Sequence, residues 1–158
     1  MVKYKKGIDV IFITVFLFFS NATLAMDEKV FNVVEYENTR SELSRALIED
    51  HKAKINNNDT IDSGDNNVLI IHTNSGLVPD KTSQLTPFDT IILLGTPENN
   101  KSMMMKIFGI GMARSTIVIT NAHDKAKREI TSFRYDKTKT DNQKLARVLM
   151  KYVSDKID

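Results

Sequence analysis

Short apolar runs separated by polar stretches recur along this chain. Three of them are almost wholly aliphatic: VLIIH at residues 68–72, TIILL at Thr90–Leu94 and TIVIT at Thr116–Thr120. Continuous apolar runs of this length, without alternation, are typical of strands that are covered on both faces. We therefore predict that these runs are the central strands of a parallel sheet.

Two weaker patterns predict outer strands. Residues 30–36 (VFNVVEY) are rich in β-forming side chains and predict a first strand, and residues 131–135 (TSFRY) predict a strand at an edge of the sheet. The segment 73–89 joins two predicted central strands and has no helical pattern. If those strands are parallel neighbours, this segment is an irregular right-handed crossover, and long irregular segments in compact domains are often functional.

Other segments have the periodicity of helices. Residues 39–55 carry apolar side chains on one face and begin with the capping-box pattern Thr39-x-x-Glu42, which predicts an amphipathic helix. Residues 99–114 contain three consecutive methionines and several other apolar residues. This second segment predicts a helix that is mostly buried.

The last helix is predicted to start at a second capping-box pattern, Thr140-x-x-Gln143, and the polar segment 56–67 predicts a surface loop.

The alternation of strands and helices predicts an α/β fold: a single three-layer sandwich with a mostly parallel central sheet of about 4–5 strands. We assign this domain to residues 26–158 and treat residues 1–25 as a separate segment.

The first 25 residues have the organisation of an export signal. Lysines are followed by the apolar residues 10–19 and then by Thr23-Leu24-Ala25, a suitable cleavage site. The apolar run spans about 15 Å as a helix, roughly half of a hydrocarbon core. We predict a cleaved signal peptide, with an uncleaved amino-terminal anchor as the alternative. The domain is then periplasmic or secreted, or it is anchored in the inner membrane and faces the periplasm, with membrane contact only through residues 8–25.

The charge balance depends on this leader. The chain has 22 basic and 20 acidic residues, and residues 1–25 hold three lysines and one aspartate, so 19 of each sign remain and the formal net charge of the domain is zero. A neutral domain gives no electrostatic argument for binding nucleic acid. The chain has no cysteine, so neither disulfides nor an acylated terminal cysteine are available to it.

Polar residues follow each predicted central strand, at the edge where open α/β sheets bind ligands. A serine, a histidine and a carboxylate could form a nucleophile, a base and an orienting group. The candidate catalytic residues are Ser75, Glu98, His123 and Asp124, and the candidate ligand-binding residues are His72, Asn74 and Asn99. His72, His123 and Glu98 could equally be three metal ligands.

The sequence lacks the motifs that would strengthen these candidates. Ser75 is flanked by Asn74 and Gly76, so it does not lie in a Gly-x-Ser-x-Gly elbow. There is no His-Glu-x-x-His, P-loop or Gly-x-Gly-x-x-Gly motif, and polar loops after strands are expected wherever a turn is exposed. The pattern favours a binding protein over an enzyme, and it predicts neither a metal nor a cofactor.

A small, neutral, exported domain without a catalytic motif favours a non-catalytic accessory role in the bacterial envelope. The expected partner is another envelope protein, either a membrane-bound sensor or transcription regulator or a component of a fimbria or other surface fibre. The alternative is a small exported enzyme or ligand-binding protein that uses the strand-end rim around His72, Glu98 and His123.

Overall fold

The computed structural model describes residues 31–36, 41–50, 66–79, 84–136 and 138–156. Within these ranges the chain forms five strands and three α-helices, which confirms the predicted α/β class. In chain order they are β1 (Phe31–Glu35), α1 (Glu42–Asp50), β2 (Asn66–His72), β3 (Thr90–Leu94), α2 (Pro97–Phe108), β4 (Thr116–Thr120), β5 (Glu129–Phe133) and α3 (Asn142–Ser154). A short 3-10 helix, Thr73–Ser75, follows β2.

The described strands form one sheet in the order β1-β2-β3-β4-β5. β1 pairs with β2 and β2 pairs with β3 in parallel, whereas β4 is antiparallel to both of its neighbours, β3 and β5. The sheet is therefore mixed, and the predicted parallel arrangement holds only for its first three strands. β5 lies at an edge, as predicted.

The direction of β4 follows from the path of the chain after α2. Asn100 of α2 is fully buried, and its Nδ2 donates to the carbonyl oxygens of Arg114 (2.7 Å) and Ser115 (3.0 Å). Gly111 lies so close to the Met105 side chain that a Cβ at this glycine would be 3.2 Å from it. The segment after α2 therefore returns along the helix to the edge of the sheet that β3 has just left. β4 enters from that edge and so runs antiparallel to β3.

The core consists of two apolar clusters, one on each face of the sheet. α1 and α3 pack against each other over one face, where Leu47 and Leu149 are fully buried. α2 covers the other face, where Met104 is fully buried. Full burial of each such side chain contributes about 1.5–3 kcal/mol. The strands with continuous apolar sequences therefore contribute side chains to both clusters, one from each face of the sheet.

α1 starts at a cap two residues later than the predicted one. Ser41 Oγ accepts a hydrogen bond from the Ser44 backbone N–H (3.0 Å), and Ser44 Oγ accepts one from the Ser41 backbone N–H (2.8 Å). This reciprocal pair satisfies two amide groups at the helix start, as a capping box does. Thr39 and the predicted helical residues 51–55 lie outside the described residues.

α2 starts earlier and ends earlier than the predicted helix at residues 99–114. Its N-cap is Thr96, whose Oγ1 accepts from the Asn99 backbone N–H (3.2 Å), and Pro97 follows at a position where no N–H is needed. The helix ends at Gly109, which has a φ of 72° in the left-handed region that glycine adopts without steric cost. The predicted continuation to residue 114 is irregular instead.

The N-cap of α3 is Asp141, whose carboxylate accepts from the Lys144 backbone N–H (3.1 Å). Thr140, the predicted cap, instead accepts from the Asp136 backbone N–H (2.8 Å).

Of the predicted loop at residues 56–67, the last two residues belong to β2, and the others lie outside the described residues, as does the predicted leader at residues 1–25. No helix in the described ranges combines the length and the apolar character that a membrane span requires.

Candidate functional site

A cavity of about 340 Å³ opens at the carboxyl edge of β2 and β3. Its apolar floor comes from Leu43 of α1 and Leu94 of β3, both members of the cluster between the sheet and the α1–α3 pair. The other lining residues belong to the ends of elements and are Ser41, His72, Asn74, Gly95, Thr96, Ser115 and Tyr135. We refer to this site as the rim cavity.

His72 is held in the wall of the rim cavity by a carboxylate from the neighbouring strand. Its Nε2 lies 3.1 Å from Oε1 of Glu35, the last residue of β1. The Glu35 side chain is only 3% exposed and that of His72 is 11% exposed. A buried carboxylate requires hydrogen-bond donors, and the imidazole supplies one. Glu35 therefore fixes the orientation of His72.

The loops that follow β2 and β3 are joined by side-chain hydrogen bonds. Asn74 Oδ1 accepts from the Thr96 backbone N–H (2.8 Å) and from Asn99 Nδ2 (3.0 Å). One amide oxygen thus connects the end of the 3-10 helix to the first turn of α2. The predicted residues Asn74 and Asn99 do meet, and their shared role is to hold this part of the rim together.

A second connection lies beneath the first. The Thr73 hydroxyl donates to Oδ1 of the buried Asn100 (2.5 Å). Gly95 passes directly over this pair, and a Cβ at Gly95 would collide with Thr73 Oγ1 and lie 2.8 Å from Asn74 Oδ1. The close approach requires glycine at this position, and it fixes the backbone that forms one wall of the rim cavity.

Tyr135 lies on the wall contributed by the chain after β5. Burial, and after it the negative charge of Glu42 in the first turn of α1, raise the pKa of the Tyr135 phenol. The hydroxyl therefore stays protonated at neutral pH, where it can both donate and accept a hydrogen bond. Ser115 Oγ holds the backbone of Tyr135: it accepts from the Tyr135 N–H (3.2 Å) and donates to the Tyr135 carbonyl oxygen (3.4 Å).

Ser75, the predicted nucleophile, has a structural contact instead of a catalytic one. Its Oγ donates to the carbonyl oxygen of His72 (2.7 Å) and accepts from the Leu77 backbone N–H (3.2 Å), which closes a local turn. No hydrogen bond between a serine and His72 side chain occurs among the described residues. Glu98 lies at the same edge, exposed in the first turn of α2, and does not line the rim cavity.

His123 and Asp124 lie at the opposite edge of the sheet. The prediction that they join Ser75 and Glu98 is wrong, because it assumed a parallel β4. The antiparallel strand ends beside the start of β3, where His123 Nε2 donates to the carbonyl oxygen of Phe88 (2.7 Å). Asp124 Oδ1 accepts from the Ala126 N–H (2.9 Å) and stabilises the turn before β5. His123 thus cannot act with the rim residues.

The same geometry separates the three predicted metal ligands. His72 and Glu98 are at the carboxyl edge of β3, and His123 is at its amino edge. Within the part of the chain that the structure describes, no three histidine, aspartate or glutamate side chains come close enough together to hold one metal ion.

Several residues that line or support the rim cavity were not among the sequence candidates, and Glu35, Ser41, Ser115 and Tyr135 are among them. Glu35 could have been found, because a charged residue at the end of β1 lies next to the end of β2 in any parallel pairing of the two strands. Ser115 and Tyr135 could not, because each reaches the rim only when β4 is antiparallel.

Comparisons with known proteins give no relative for this arrangement. No protein-family model, curated protein or solved structure matches the chain. The function of the protein is therefore inferred from the geometry of the rim cavity and of the surrounding surface.

Proposed function

We propose that this protein is an exported, non-catalytic binding protein whose rim cavity holds a small uncharged ligand with hydroxyl or amide groups. The proposal depends on one observation: a cavity of about 340 Å³ that a carboxylate-held His72, Tyr135 and Asn74 line together with an apolar floor. Convergent polar groups over an apolar surface are typical of small-molecule sites, and their volume starts at about 300 Å³.

The lining favours an uncharged ligand. Its polar groups are hydroxyls, an amide and one imidazole, and none of the described lining residues is Lys, Arg, Asp or Glu. A charged ligand would lose its hydration without contacting an oppositely charged Lys, Arg, Asp or Glu of the lining, which is costly. Hydroxyl and amide groups can instead exchange hydrogen bonds with Tyr135, Asn74 and Thr96, while carbon atoms contact Leu43 and Leu94.

Binding is favoured over catalysis because the two serine hydroxyls that line the rim cavity with His72 are already hydrogen-bonded to the backbone. The Oγ of Ser115 is bonded to the main chain of Tyr135, and that of Ser41 accepts from the Ser44 N–H. A serine nucleophile needs a base within hydrogen-bond reach, and among the described residues no serine hydroxyl is hydrogen-bonded to the His72 ring, whose contact is with Glu35. The site holds and orients polar groups but does not activate one.

The proposal includes the architecture and the location of the domain. The distribution of helices, with α1 and α3 over one face and α2 over the other, supports a three-layer sandwich. The pattern of residues 1–25 supports export by a cleaved signal peptide to the periplasm or beyond, or retention by an uncleaved anchor with the domain facing the periplasm. Both locations expose the rim cavity to envelope or external solutes.

The test is a titration of the isotope-labelled protein with a panel of neutral sugars, polyols and small amides, followed by NMR. A ligand should shift the amide signals of Gly95, Thr96 and Tyr135. Tyr135→Phe, which removes only the hydroxyl, should weaken that ligand about tenfold, the equivalent of one lost hydrogen bond. Tyr152→Phe, which removes a hydroxyl of α3 that is hydrogen-bonded to Thr131 of β5 and does not line the rim cavity, is the control and should leave the affinity unchanged.

Two results would contradict the proposal. One is the absence of localised shifts with any compound of the panel. The other is an equal loss of affinity in Tyr135→Phe and Tyr152→Phe, because the ligand would then not depend on the hydroxyl group that lines the rim cavity.

The second candidate is the accessory role, in which the rim cavity receives a segment of an envelope partner such as a membrane-bound regulator or a fibre component. The observation in its favour is the exposed Leu77, three residues beyond Asn74 of the cavity wall. A peptide that continues past the cavity could cover this side chain, whereas a small ligand would not. Leu77→Ser should then weaken crosslinking to the partner in intact cells and leave small-ligand binding intact.

A further inference from the structure

A second surface, on the other side of the sheet, combines exposed apolar side chains with positive charge. It comprises the outer face of α2 and the irregular segment after it, and its residues are Lys101, Met105, Lys106, Ile110, Gly111 and Arg114. We refer to it as the α2 surface. Met105 is 51% exposed and Ile110 is 45% exposed, although both are large and apolar. Neither of them lines the rim cavity.

Lys101, Met105, Ile110 and Gly111 form the contiguous centre of this surface, and Lys106 and Arg114 are exposed at neighbouring positions of the same segment. Gly109 ends the helix in a left-handed conformation and turns the chain back. Gly111 then packs on the helix, where a Cβ would be 3.1 Å from Lys101 Cγ and 3.2 Å from Met105 Cγ. Ile110 is therefore held beside Met105, with the lysine stem against the same segment.

The charge of this patch has one sign. Residues 99–122 contain Lys101, Lys106 and Arg114 and no aspartate or glutamate, in a chain whose 22 basic and 20 acidic residues are otherwise nearly balanced. All three cations are exposed. The nearest carboxylate in sequence, Glu98, is in the first turn of α2, at the end of the helix away from Ile110. The patch is complementary to an anionic, partly apolar partner.

The size of the patch distinguishes between two such partners. A specific protein interface usually buries about 800 Å² on each side and involves roughly 20–30 residues. A lipid interface needs less: a few apolar side chains that enter the acyl boundary, flanked by cations at the level of the headgroups. Two exposed apolar residues with three cations fit the second case. We propose that the α2 surface docks the domain on an anionic lipid membrane.

The expected interaction is weak by itself and depends on salt. Each cation near an anionic membrane raises the partition coefficient by about fivefold, and this gain falls as ionic strength shortens the Debye length. Such a surface is effective when another element keeps the domain close to the membrane. It would orient the domain with α2 towards the lipid, and the α1–α3 face away from it. The inference is independent of any ligand in the rim cavity.

The absence of cysteine makes a local test possible. In the full chain, Ile110→Cys is labelled with a fluorophore whose emission reports an apolar environment, and Val148→Cys on α3 is labelled in the same way. Val148 is 45% exposed, as is Ile110, but it lies on the helix that covers the other face of the sheet. Residues 1–25 are present in both proteins, so their own affinity for lipid is common to both.

With vesicles of phosphatidylglycerol and phosphatidylcholine, the label at position 110 should shift to the blue and the label at 148 should not. The shift should diminish with pure phosphatidylcholine and with added salt. Equal responses at the two positions, or none at 110, would overturn the proposal. So would a response at 110 to an acidic polypeptide in the absence of any response to vesicles, because the patch would then be a protein interface.

A charge variant tests the cations separately. The combination Lys101→Gln, Lys106→Gln and Arg114→Gln should lower the partition of the domain onto anionic vesicles by about a hundredfold, from about fivefold for each cation. Lys139→Gln, Lys144→Gln and Lys151→Gln together remove the same charge from exposed positions elsewhere and should have much less effect. Equal losses in the two variants would mean that net charge, and not the α2 surface, attracts the lipid.

Discussion

At the scale of single residues, the rim cavity depends on a carboxylate that is almost fully buried beside an imidazole. Glu35 ends β1 and His72 ends β2, and the parallel pairing of these strands brings the two side chains to 3.1 Å. The hydrogen bond offsets part of the cost of burying the carboxylate, and the carboxylate keeps the ring in one orientation. Each side chain therefore has a stabilising role and a role in shaping the cavity.

The two roles predict unequal effects of two substitutions. His72→Leu removes a donor from a buried carboxylate and should lower the free energy of unfolding by about 1–3 kcal/mol. Glu35→Gln keeps a polar partner for the imidazole and removes the buried charge, so its effect should be smaller. Chemical denaturation of both variants at neutral pH measures the difference. Equal losses of unfolding free energy would show that the donor from His72 to the buried Glu35 carboxylate makes no specific contribution to stability.

Tyr135 allows a prediction about pH. Burial and the charge of Glu42 raise the pKa of its phenol, so the folded state holds this proton more tightly than the unfolded state. The resulting contribution to stability is complete below the ordinary tyrosine pKa and is lost as the pH rises through the raised value. Glu42→Gln should lower the pKa of Tyr135 towards its ordinary value, as measured by absorbance of the phenolate.

Glu49→Gln is the matched control, because it removes the same charge from an exposed position further along α1. It should leave the titration of Tyr135 unchanged. If the two glutamine variants shift the pKa of Tyr135 equally, the charge of Glu42 is not the specific cause.

At the scale of elements, the sequence predicted the central strands well because their environment leaves few alternatives. β3 and β4 match the predicted ranges residue for residue, since both faces of each strand are buried and every side chain is apolar or threonine. β2 starts two residues earlier than predicted. Asn67 is 1% exposed, and its Nδ2 donates to the carbonyl oxygen of Pro87 (2.8 Å) while its Oδ1 accepts from Asn32 (3.2 Å). In a sequence, asparagines resemble a loop, because the distant groups that satisfy their side chains in the fold are not visible there.

Helix starts were predicted less well, because several residues near each start can act as caps. The choice between them depends on backbone conformation, as Thr140 and Asp141 demonstrate: both have side-chain acceptors, but only Asp141 faces the first turn of α3. Asp141→Ala should therefore lower the free energy of unfolding by about 1 kcal/mol. Gln143→Ala, at the position that the predicted capping box requires, should change it by less than about 0.5 kcal/mol. Thermal melts of the two variants decide between the caps, and a larger loss for Gln143→Ala would favour the predicted one.

At the scale of the whole molecule, the direction of one strand determined which site residues meet. Sequence patterns give the positions of strands. They do not give the direction of a strand when the preceding connection is long enough to end at either edge of the sheet, so that the strand can be parallel or antiparallel to the one before it. The segment between β3 and β4 returns, because Asn100 and Gly111 hold it against α2. His72 and Asn74 could be predicted at the rim, since they follow a strand whose direction is set by its parallel neighbours. The placement of His123 depended on β4 and could not be predicted.

Asn100 is consequently the residue on which the rim and the topology both depend. Its side chain accepts from the Thr73 hydroxyl and donates to the carbonyl oxygens of Arg114 and Ser115. Asn100→Ala would leave these three groups without that partner in a buried position, and it should lower the free energy of unfolding by about 3 kcal/mol. Denaturant unfolding, with an unchanged dependence on denaturant concentration, measures this loss.

Asn99→Ala is the control for this substitution, because Asn99 is the preceding residue of the same helix, has the same helix propensity and is exposed. Its loss should be about 0.5 kcal/mol. The same pair of variants also tests the connection between topology and site. Asn100→Ala should broaden the NMR signals of Gly95 and Ser115, since the loops on both sides of the rim lose their common partner, whereas Asn99→Ala should affect only the region of Asn74. If Asn100→Ala is as stable as Asn99→Ala, the return of the chain along α2 must have another cause.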